Sequence, residues 1–317
     1  MAPKFTYLGM GAMGRAMSKN LVEKGNLDKP VTFWNRTHKV ASEWAAFVGP
    51  GANAVEDLLD AVKDADIIWS CLATQDAVFS CFSRMLDTNV RGKFFVESST
   101  VTSEASNRLA ERVREAGAEF ISMPVFGEPT IAMAGKLVAV PAGPKESVTK
   151  ILPYLEGVVA RGVVNLSEQQ VGTASHLKLI GNVMILMMIE AVAETHVLAE
   201  KTGLMNEVMH DAINILWPGA AGVYSRQMLS GQYYVDNVSP LVPIDMAVKV
   251  SSHVLNLAEA HGAELPAYKA VRRQIEAVKN HCGSQGDLLG VYGAGRLQSG
   301  LPYEKEKVLK EDGTRMN

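Results

Sequence analysis

Lys178 and Asn182 stand four residues apart in the run Gly172-Thr173-Ala174-Ser175-His176-Leu177-Lys178-Leu179-Ile180-Gly181-Asn182. On a helix that spacing turns both toward one site. The stretch Leu179–Ala193 is almost wholly apolar, broken by Gly181, Asn182 and Glu190. A lysine at the edge of such a segment is partly desolvated, which lowers its pKa toward a useful acid/base range. In alcohol oxidation such a lysine takes the hydroxyl proton while hydride leaves the same carbon. In the reverse direction it protonates the developing alkoxide. The competing reading is a snorkelling lysine beside a capping asparagine.

A second chemical feature lies at the other end of the chain, in Gly9-Met10-Gly11-Ala12-Met13-Gly14. It follows an expected strand and opens an expected helix. The first glycine permits the tight turn, the second lets backbone approach a pyrophosphate, and the third lets helix and strand pack closely. The next strand ends Trp34-Asn35-Arg36-Thr37, without the acid that usually holds the ribose diol of NAD. Arg36 can pair with a 2′-phosphate, and Asn35 and Thr37 can hydrogen-bond it. NADP(H) is therefore expected over NAD(H), against the plainer reading of an exposed arginine at a helix start.

The elements that must position these residues fall into two textures. Strands are expected at Phe5–Leu8, Val31–Trp34, Ile67–Cys71, Phe94–Glu97, Glu119–Ser122 and Leu137–Pro141. Between them helices are expected near Met13–Lys24, His38–Phe47, Glu56–Val62, Ala77–Met85 and Ser103–Ala116. This alternation predicts an α/β domain with a doubly wound parallel sheet over residues 1–167. Residues 168–317 read as all-helical, with segments at Val171–Lys201, Glu207–Leu216, Ile244–His261 and Ala267–Lys279. At 15 residues the apolar run Leu179–Ala193 is short of a membrane span, which needs about 20. Burial between domains or subunits is the expectation. Gly290, Gly293, Gly295 and Gly300 mark a loop-rich stretch, and the polar run 304–317 reads as a mobile tail.

Composition narrows the function classes. The chain has 317 residues, 31 Lys plus Arg against 34 Asp plus Glu, and a net charge of −3. That balance gives no electrostatic case for nucleic acid or an anionic membrane as partner. With 47% apolar and 21% charged residues, the chain has the makings of an ordinary globular protein. Cys71, Cys81 and Cys282 form no Cys-x-x-Cys pair, which suits a reducing compartment, and the absence of a leader-like N-terminus makes a cytoplasmic location the expectation.

Further motifs, in order, carry a resemblance. They are Glu97-Ser98-Ser99-Thr100-Val101, then Pro124-Val125-Phe126-Gly127 with Ala134-Gly135-Lys136-Leu137, then Gly172-x-x-x-x-x-Lys178-x-x-x-Asn182. With the glycine turn and Asn35-Arg36-Thr37, the chain resembles the β-hydroxyacid dehydrogenase family, of the 3-hydroxyisobutyrate and 6-phosphogluconate dehydrogenase type, from residue 5 to about 280. The resemblance implies a Rossmann domain, a long interdomain helix and a helical domain that serves the substrate and builds a homodimer or higher oligomer. It implies Lys178 as general acid/base, Asn182 orienting a small-molecule substrate, and Ser99, Phe126 and Gly127 beside that substrate. Gly9, Gly11, Ala12, Met13, Gly14, Asn35, Arg36, Thr37, Leu72, Ala73, Thr100 and Lys249 make up the implied cofactor set. On chemistry alone, Ser98-Ser99-Thr100 could equally cap the helix Ser103–Ala116, and the two roles are not exclusive.

The chain also departs from the family. Where the substrate loop typically reads Asp-x-Pro-Val-Ser-Gly-Gly, this chain has Ser122-Met123-Pro124-Val125-Phe126-Gly127-Glu128. A bulky Phe126 and an anionic Glu128 would crowd and repel a small carboxylate. Lys249-Val250 replaces the common Lys-Asp.

The expected activity is an NADP-dependent dehydrogenase or reductase acting on a small hydroxyacid or semialdehyde-type substrate. Imine reductase or reductive aminase chemistry on the same fold is one alternative, and a non-catalytic NADPH-binding module another. His196, His210, His253 and His261 lack metal-ligand spacing, so no metal is expected. Trp217-Pro218-Gly219 and Tyr224 suit either a cleft lining or a loop hinge, and Tyr233-Tyr234 reads as packing.

Overall fold

The computed structural model describes residues 2–234, 240–306 and 310. The chain divides into two compact units, Met1–Lys178 and Leu179–Asn317. Among the described residues the first unit carries strands β1 (Lys4–Leu8), β2 (Asp28–Trp34), β3 (Ala52–Ala54), β4 (Ile67–Ser70), β5 (Phe94–Glu97) and β6 (Glu119–Ser122). Short strands follow: β7 (Val125–Phe126), β8 (Leu137–Ala139), β9 (Ala142–Gly143), β10 (Ala160–Val163) and β11 (Leu166–Ser167). Its helices are α1 (Ala12–Lys24), α2 (His38–Val48), α3 (Leu58–Lys63), α4 (Gln75–Leu86), α5 (Ser103–Glu115), α6 (Pro129–Met133) and α7 (Lys145–Ile151).

The main sheet runs β11-β9-β6-β5-β4-β1-β2-β3. All its pairings are parallel except β6 with β9. Alternation along the central strands explains why they read as continuous apolar runs. Tyr7, Trp69, Val96 and Ile121 enter one core, whereas Leu8, Ile68, Phe95 and Phe120 enter another on the opposite face. A sheet covered on both faces needs apolar residues at every position. That pattern stops at Ser70, Glu97 and Ser122, the register partners that close β4, β5 and β6.

The expected strand Leu137–Pro141 is not part of this sheet. It forms β8, the middle strand of a small second sheet β10-β8-β7. Along the chain it is flanked by Val125–Phe126, its partner in the small sheet, and Ala142–Gly143, which joins the main sheet, and each has only two residues. Segments that brief carry no readable period.

Helix α8 (Gly172–Thr202) begins in the first unit and continues into the second. The second unit adds α9 (Asn206–Leu216), α10 (Ala220–Leu229), α11 (Ile244–Ala260), α12 (Pro266–Cys282) and α13 (Val291–Gln298). By length and composition alone α8 could cross a bilayer. Leu186, Ile189, Val192 and Val197 of this helix instead lie in the core of the second unit with Ile213, Ile275 and Tyr292.

Gly290, Gly293 and Gly295 lie in helical turns where a loop is expected, while Gly300 sits in a turn after α13 at φ +75°. A Cβ on Gly290 would overlap the Tyr303 hydroxyl, and one on Gly293 would lie 2.6 Å from the Tyr303 ring. These glycines make room for a buried aromatic side chain on a helix surface, a use that composition cannot separate from a turn. Of the polar run 304–317, Lys305 pairs with Glu200 at 3.4 Å. Residues 307–309 and 311–317 lie outside the described ones.

Candidate functional site

The glycine turn has the three geometries that a dinucleotide phosphate requires. Gly9 sits at φ +98°, donates its N–H to the Trp34 carbonyl at 2.8 Å, and would overlap the Cys71 carbonyl oxygen if it carried a Cβ. A Cβ on Gly14 would overlap the Gly9 carbonyl oxygen, so α1 lies directly on the turn. Gly11 has nothing within 4 Å of a would-be Cβ. It caps α1 without a side-chain bond, followed by exposed Ala12 and half-buried Met13. The first N–H groups of α1 are thus left for an anion, over open space that admits one. These residues fit a nicotinamide dinucleotide.

Beyond β2 the expected trio divides. Asn35 spends its amide locally, accepting the Met10 N–H at 3.1 Å and donating to the Thr37 carbonyl at 3.1 Å. It braces the turn. Arg36 and Thr37 are exposed at the start of α2, and the Thr37 hydroxyl makes no capping bond. Arg15, which sequence reasoning passed over, donates Nε–H to the Met10 carbonyl at 3.1 Å and lies 5.6 Å over the Trp44 ring.

At the carboxyl ends of β4 and β5 two loops are tied together. The Ser99 hydroxyl accepts the Leu72 N–H at 2.7 Å, and the Ser99 N–H is accepted by the Glu97 carboxylate at 2.5 Å. Ser70 donates its hydroxyl to the same carboxylate, and Ser98 accepts from the Trp69 indole at 2.9 Å. Ala73 and Thr100 are exposed on the rim of these loops. The capping alternative for Ser98–Thr100 is corrected here: Thr102 caps α5, accepting the Ala105 N–H at 3.2 Å. Neither Glu97 nor Ser70 was singled out from the sequence. The available signal was a carboxylate ending an otherwise apolar strand.

Lys178 completes this side of the site. Its position is set by the start of α8, which is fastened to α5. The Gly172 N–H donates to Asn107 at 3.0 Å, the Ser175 and Ser106 hydroxyls lie 3.0 Å apart, and a Cβ on Gly172 would overlap the Ser103 hydroxyl. The Lys178 ammonium donates to the Val125 carbonyl at 2.7 Å and stands 4.3 Å from the Phe126 ring centroid. Burial brings its pKa down to about 8, opposed by the nearby Cys71 thiol. Burial pushes Cys71 itself up to about 12, with the Glu97 charge adding to the rise. A lysine so placed can give or take a proton near neutral pH.

Gly127 is exposed at φ +134°, and the Glu128 carboxylate accepts the Thr130 hydroxyl at 2.6 Å. Asn182 is buried one turn beyond Lys178 on α8. Lys249 is exposed on α11, where its charge helps to lower the His253 pKa.

The chain is similar to known proteins over most of its length. Residues 4–171 match the model of the NAD binding domain of 6-phosphogluconate dehydrogenase, and residues 172–294 that of the NAD-binding region of NADP-dependent 3-hydroxyisobutyrate dehydrogenase. An NADH-dependent oxidoreductase, ucdB, of Aspergillus ustus is 37% identical over 92% of this chain and 98% of its own. Glyoxylate/succinic semialdehyde reductase 1 of Arabidopsis thaliana is 29% identical over 96% and 99%. In fold, the chain is similar to a 3-hydroxyisobutyrate dehydrogenase of Mycobacterium tuberculosis solved with L-serine, with a TM-score of 0.74 at 22% identity over 92% of this chain and 98% of that one. The glycine turn, the matched models and the shared fold establish that this chain belongs to the β-hydroxyacid dehydrogenase family and is an oxidoreductase with a nicotinamide cofactor.

Proposed function

We propose that the protein moves hydride between NADP(H) and the hydroxyl-bearing carbon of a small hydroxyacid, or the carbonyl of its semialdehyde-type partner, with Lys178 as general acid/base. The observation that carries this reading is the Lys178 ammonium, held on the Val125 carbonyl at 2.7 Å with its pKa lowered to about 8. The cofactor supplies hydride acceptance or donation at the nicotinamide. In oxidation, neutral Lys178 takes the hydroxyl proton. In reduction, the ammonium protonates the alkoxide oxygen. Ser99, Phe126, Gly127 and Asn182 orient the substrate, while Leu72, Ala73 and Thr100 join the glycine turn in holding the cofactor.

The preference for NADP(H) rests on Arg36 and Thr37, exposed beside the turn and free of a neighbouring acid on the strand end. The relative named as NADH-dependent makes the opposite preference a concrete competing outcome. The deciding assay follows reduced-nicotinamide absorbance with both cofactors against hydroxyacids, semialdehydes, neutral aldehydes and cyclic imines. Hydroxyacid or semialdehyde turnover that collapses in Lys178→Ala supports the reading. Turnover of imines alone, or activity that survives the substitution, sinks it. Arg36→Ala should lower the NADP/NAD preference about tenfold, the worth of one charge-assisted phosphate contact.

Two further assignments belong to the same reading. Exposed apolar side chains on the second unit, among them Ile180, Met184 and Leu198 on α8 and Ile215 and Leu216 on α9, support a homodimer or higher oligomer. Light scattering that returns a monomer would remove it. The free thiols Cys71, Cys81 and Cys282 suit a cytoplasmic setting, which fractionation can test.

A further inference from the structure

Glu97 closes β5 and is 1% exposed. The parallel register sets it between Ser70 on β4 and Ser122 on β6. Its carboxylate accepts a hydrogen bond from the Ser70 hydroxyl on one oxygen and from the Ser99 N–H on the other. Ser99 then passes the restraint on, because its hydroxyl oxygen accepts the Leu72 N–H at 2.7 Å. The Cys71–Leu72 segment is also what Gly9 packs against. A Cβ there would overlap the Cys71 carbonyl and approach the Leu72 side chain to 2.9 Å. One buried side chain is therefore linked in series to the Ser98–Thr100 loop, the Cys71–Ala73 loop and the glycine turn.

We propose that Glu97 is a positioning residue for hydride transfer, acting through Ser99 to hold the Cys71–Ala73 loop against the glycine turn so that the cofactor rim keeps one shape. This rests on the cofactor and substrate reading of that rim given above. The choice of a carboxylate has a physical reason. Past the end of β5 the Ser99 N–H is buried and has no strand partner, and an unmet buried donor is costly. Glu97 meets it and the Ser70 hydroxyl together. Burial in turn pushes the Glu97 pKa up to about 7, while its bonds to Ser70 and Ser99 hold it down. Tyr7 from β1, Cys71 after β4 and Cys81 from α4 are the titratable groups that feel its charge.

Glutamine offers a neutral control. Its Oε1 can still accept from Ser99, and its Nε2 can donate to Ser70, whose hydroxyl then turns to the Val96 carbonyl 3.4 Å away. The test uses the full chain and two readouts taken without turnover: amide exchange over residues 71–74, and NADPH affinity by fluorescence titration. Glu97→Ala should speed exchange there and weaken NADPH binding about tenfold, the effect of one lost buried hydrogen bond. Glu97→Gln should recover both to within about threefold of the parent, since the contact geometry is kept. Ser99→Ala should reproduce the faster exchange with Glu97 intact. A folded Glu97→Ala with parent exchange and affinity overturns the proposal, as does Glu97→Gln no better than Glu97→Ala. If Glu97→Ala fails to fold, unchanged exchange in Ser99→Ala overturns it alone. Full activity in Lys178→Ala would instead sink the acid/base reading and leave these two readouts standing.

Discussion

Two regions of this molecule bury titratable side chains among polar partners, and they differ in one respect. Around Lys178 the polar valences are incomplete: the ammonium has one carbonyl at 2.7 Å and an aromatic face at 4.3 Å. In the second unit, His196, Asn206, His210 and Ser225 are all buried and bonded to each other. There His196 meets Asn206 at 2.8 Å and Ser225 at 2.7 Å, and His210 meets Ser225 at 2.7 Å and Asn214 at 2.9 Å. The proton positions in this chain follow from its ends. Asn206 gives its amide hydrogens to Glu200 and Tyr292, so its oxygen accepts from His196 Nδ1–H. His196 Nε2 then accepts from the Ser225 hydroxyl, which accepts from His210 Nδ1–H, and His210 Nε2 accepts from Asn214. His196 is neutral in this arrangement. Burial lowers the His196 pKa to about 4 and the Lys178 pKa to about 8. A shifted pKa marks both regions, so the shift alone does not identify a reaction centre. What separates the two is the unspent hydrogen-bonding capacity of Lys178 among the described residues, on which the proposed acid/base role rests.

The comparison breaks first at Lys178. Lys178→Met should lower kcat/KM by about 10²–10⁴, the usual range for a lost general acid/base, with little change in urea midpoint. A large loss of stability with activity preserved in the folded fraction would reverse the roles assigned to the two regions. Ser225→Ala should show the opposite pattern. It strands one donor or acceptor on each histidine, costing on the order of 2–4 kcal/mol in urea unfolding, with kcat unchanged. A kcat that falls in proportion would place the network in the reaction.

Titration sharpens the contrast. The His196 pKa is depressed from 6.5 to about 4, so between those values the unfolded chain binds a proton that the native one refuses. Stability from this group is complete above pH 6.5 and is lost as pH falls toward 4, by on the order of 3 kcal/mol. His210 and Lys305 oppose the added charge and Glu200 favours it. Removing the titrating group with His196→Gln, followed by pH-dependent urea midpoints, checks the assignment. An unchanged slope refutes it.

The smallest effect concerns Phe126. Its ring favours the charged form of Lys178, so Phe126→Leu should move the limb of the pH–rate profile near 8 downward by about half a unit, as a cation–π contact worth about 0.5–1 kcal/mol requires. An upward shift would mean that burial, which the smaller side chain relieves, outweighs the ring.

Legibility in the sequence followed the range of the interaction responsible. The glycine turn, the boundaries of β5 and β6, and the start of α2 were read correctly, because each depends on residues adjacent in the chain. The N-terminus of α5 was placed correctly, while the capping role open to Ser98–Thr100 falls to Thr102. Several residue types can cap, and only backbone geometry selects one. Asn35 is expected at the cofactor, and its bond to the Met10 amide, which ties it to the turn, is invisible in one dimension. The helix α13 was hidden by the glycines that admit Tyr303.

By itself, then, the order of residues determined the alternating α/β architecture, the cofactor turn and the helix that carries Lys178 and Asn182. These follow from periodicity and from steric limits on single residues. Tertiary structure decided that Ser99 and Leu72 meet, that Glu97 lies beneath them, and that Phe126 faces Lys178. The first contact joins residues 27 positions apart, as does the Ser70–Glu97 bond that fixes the carboxylate, and the third joins β7 to α8. Pairings across strands and between sheet and helix are set by packing and register, which no local pattern encodes.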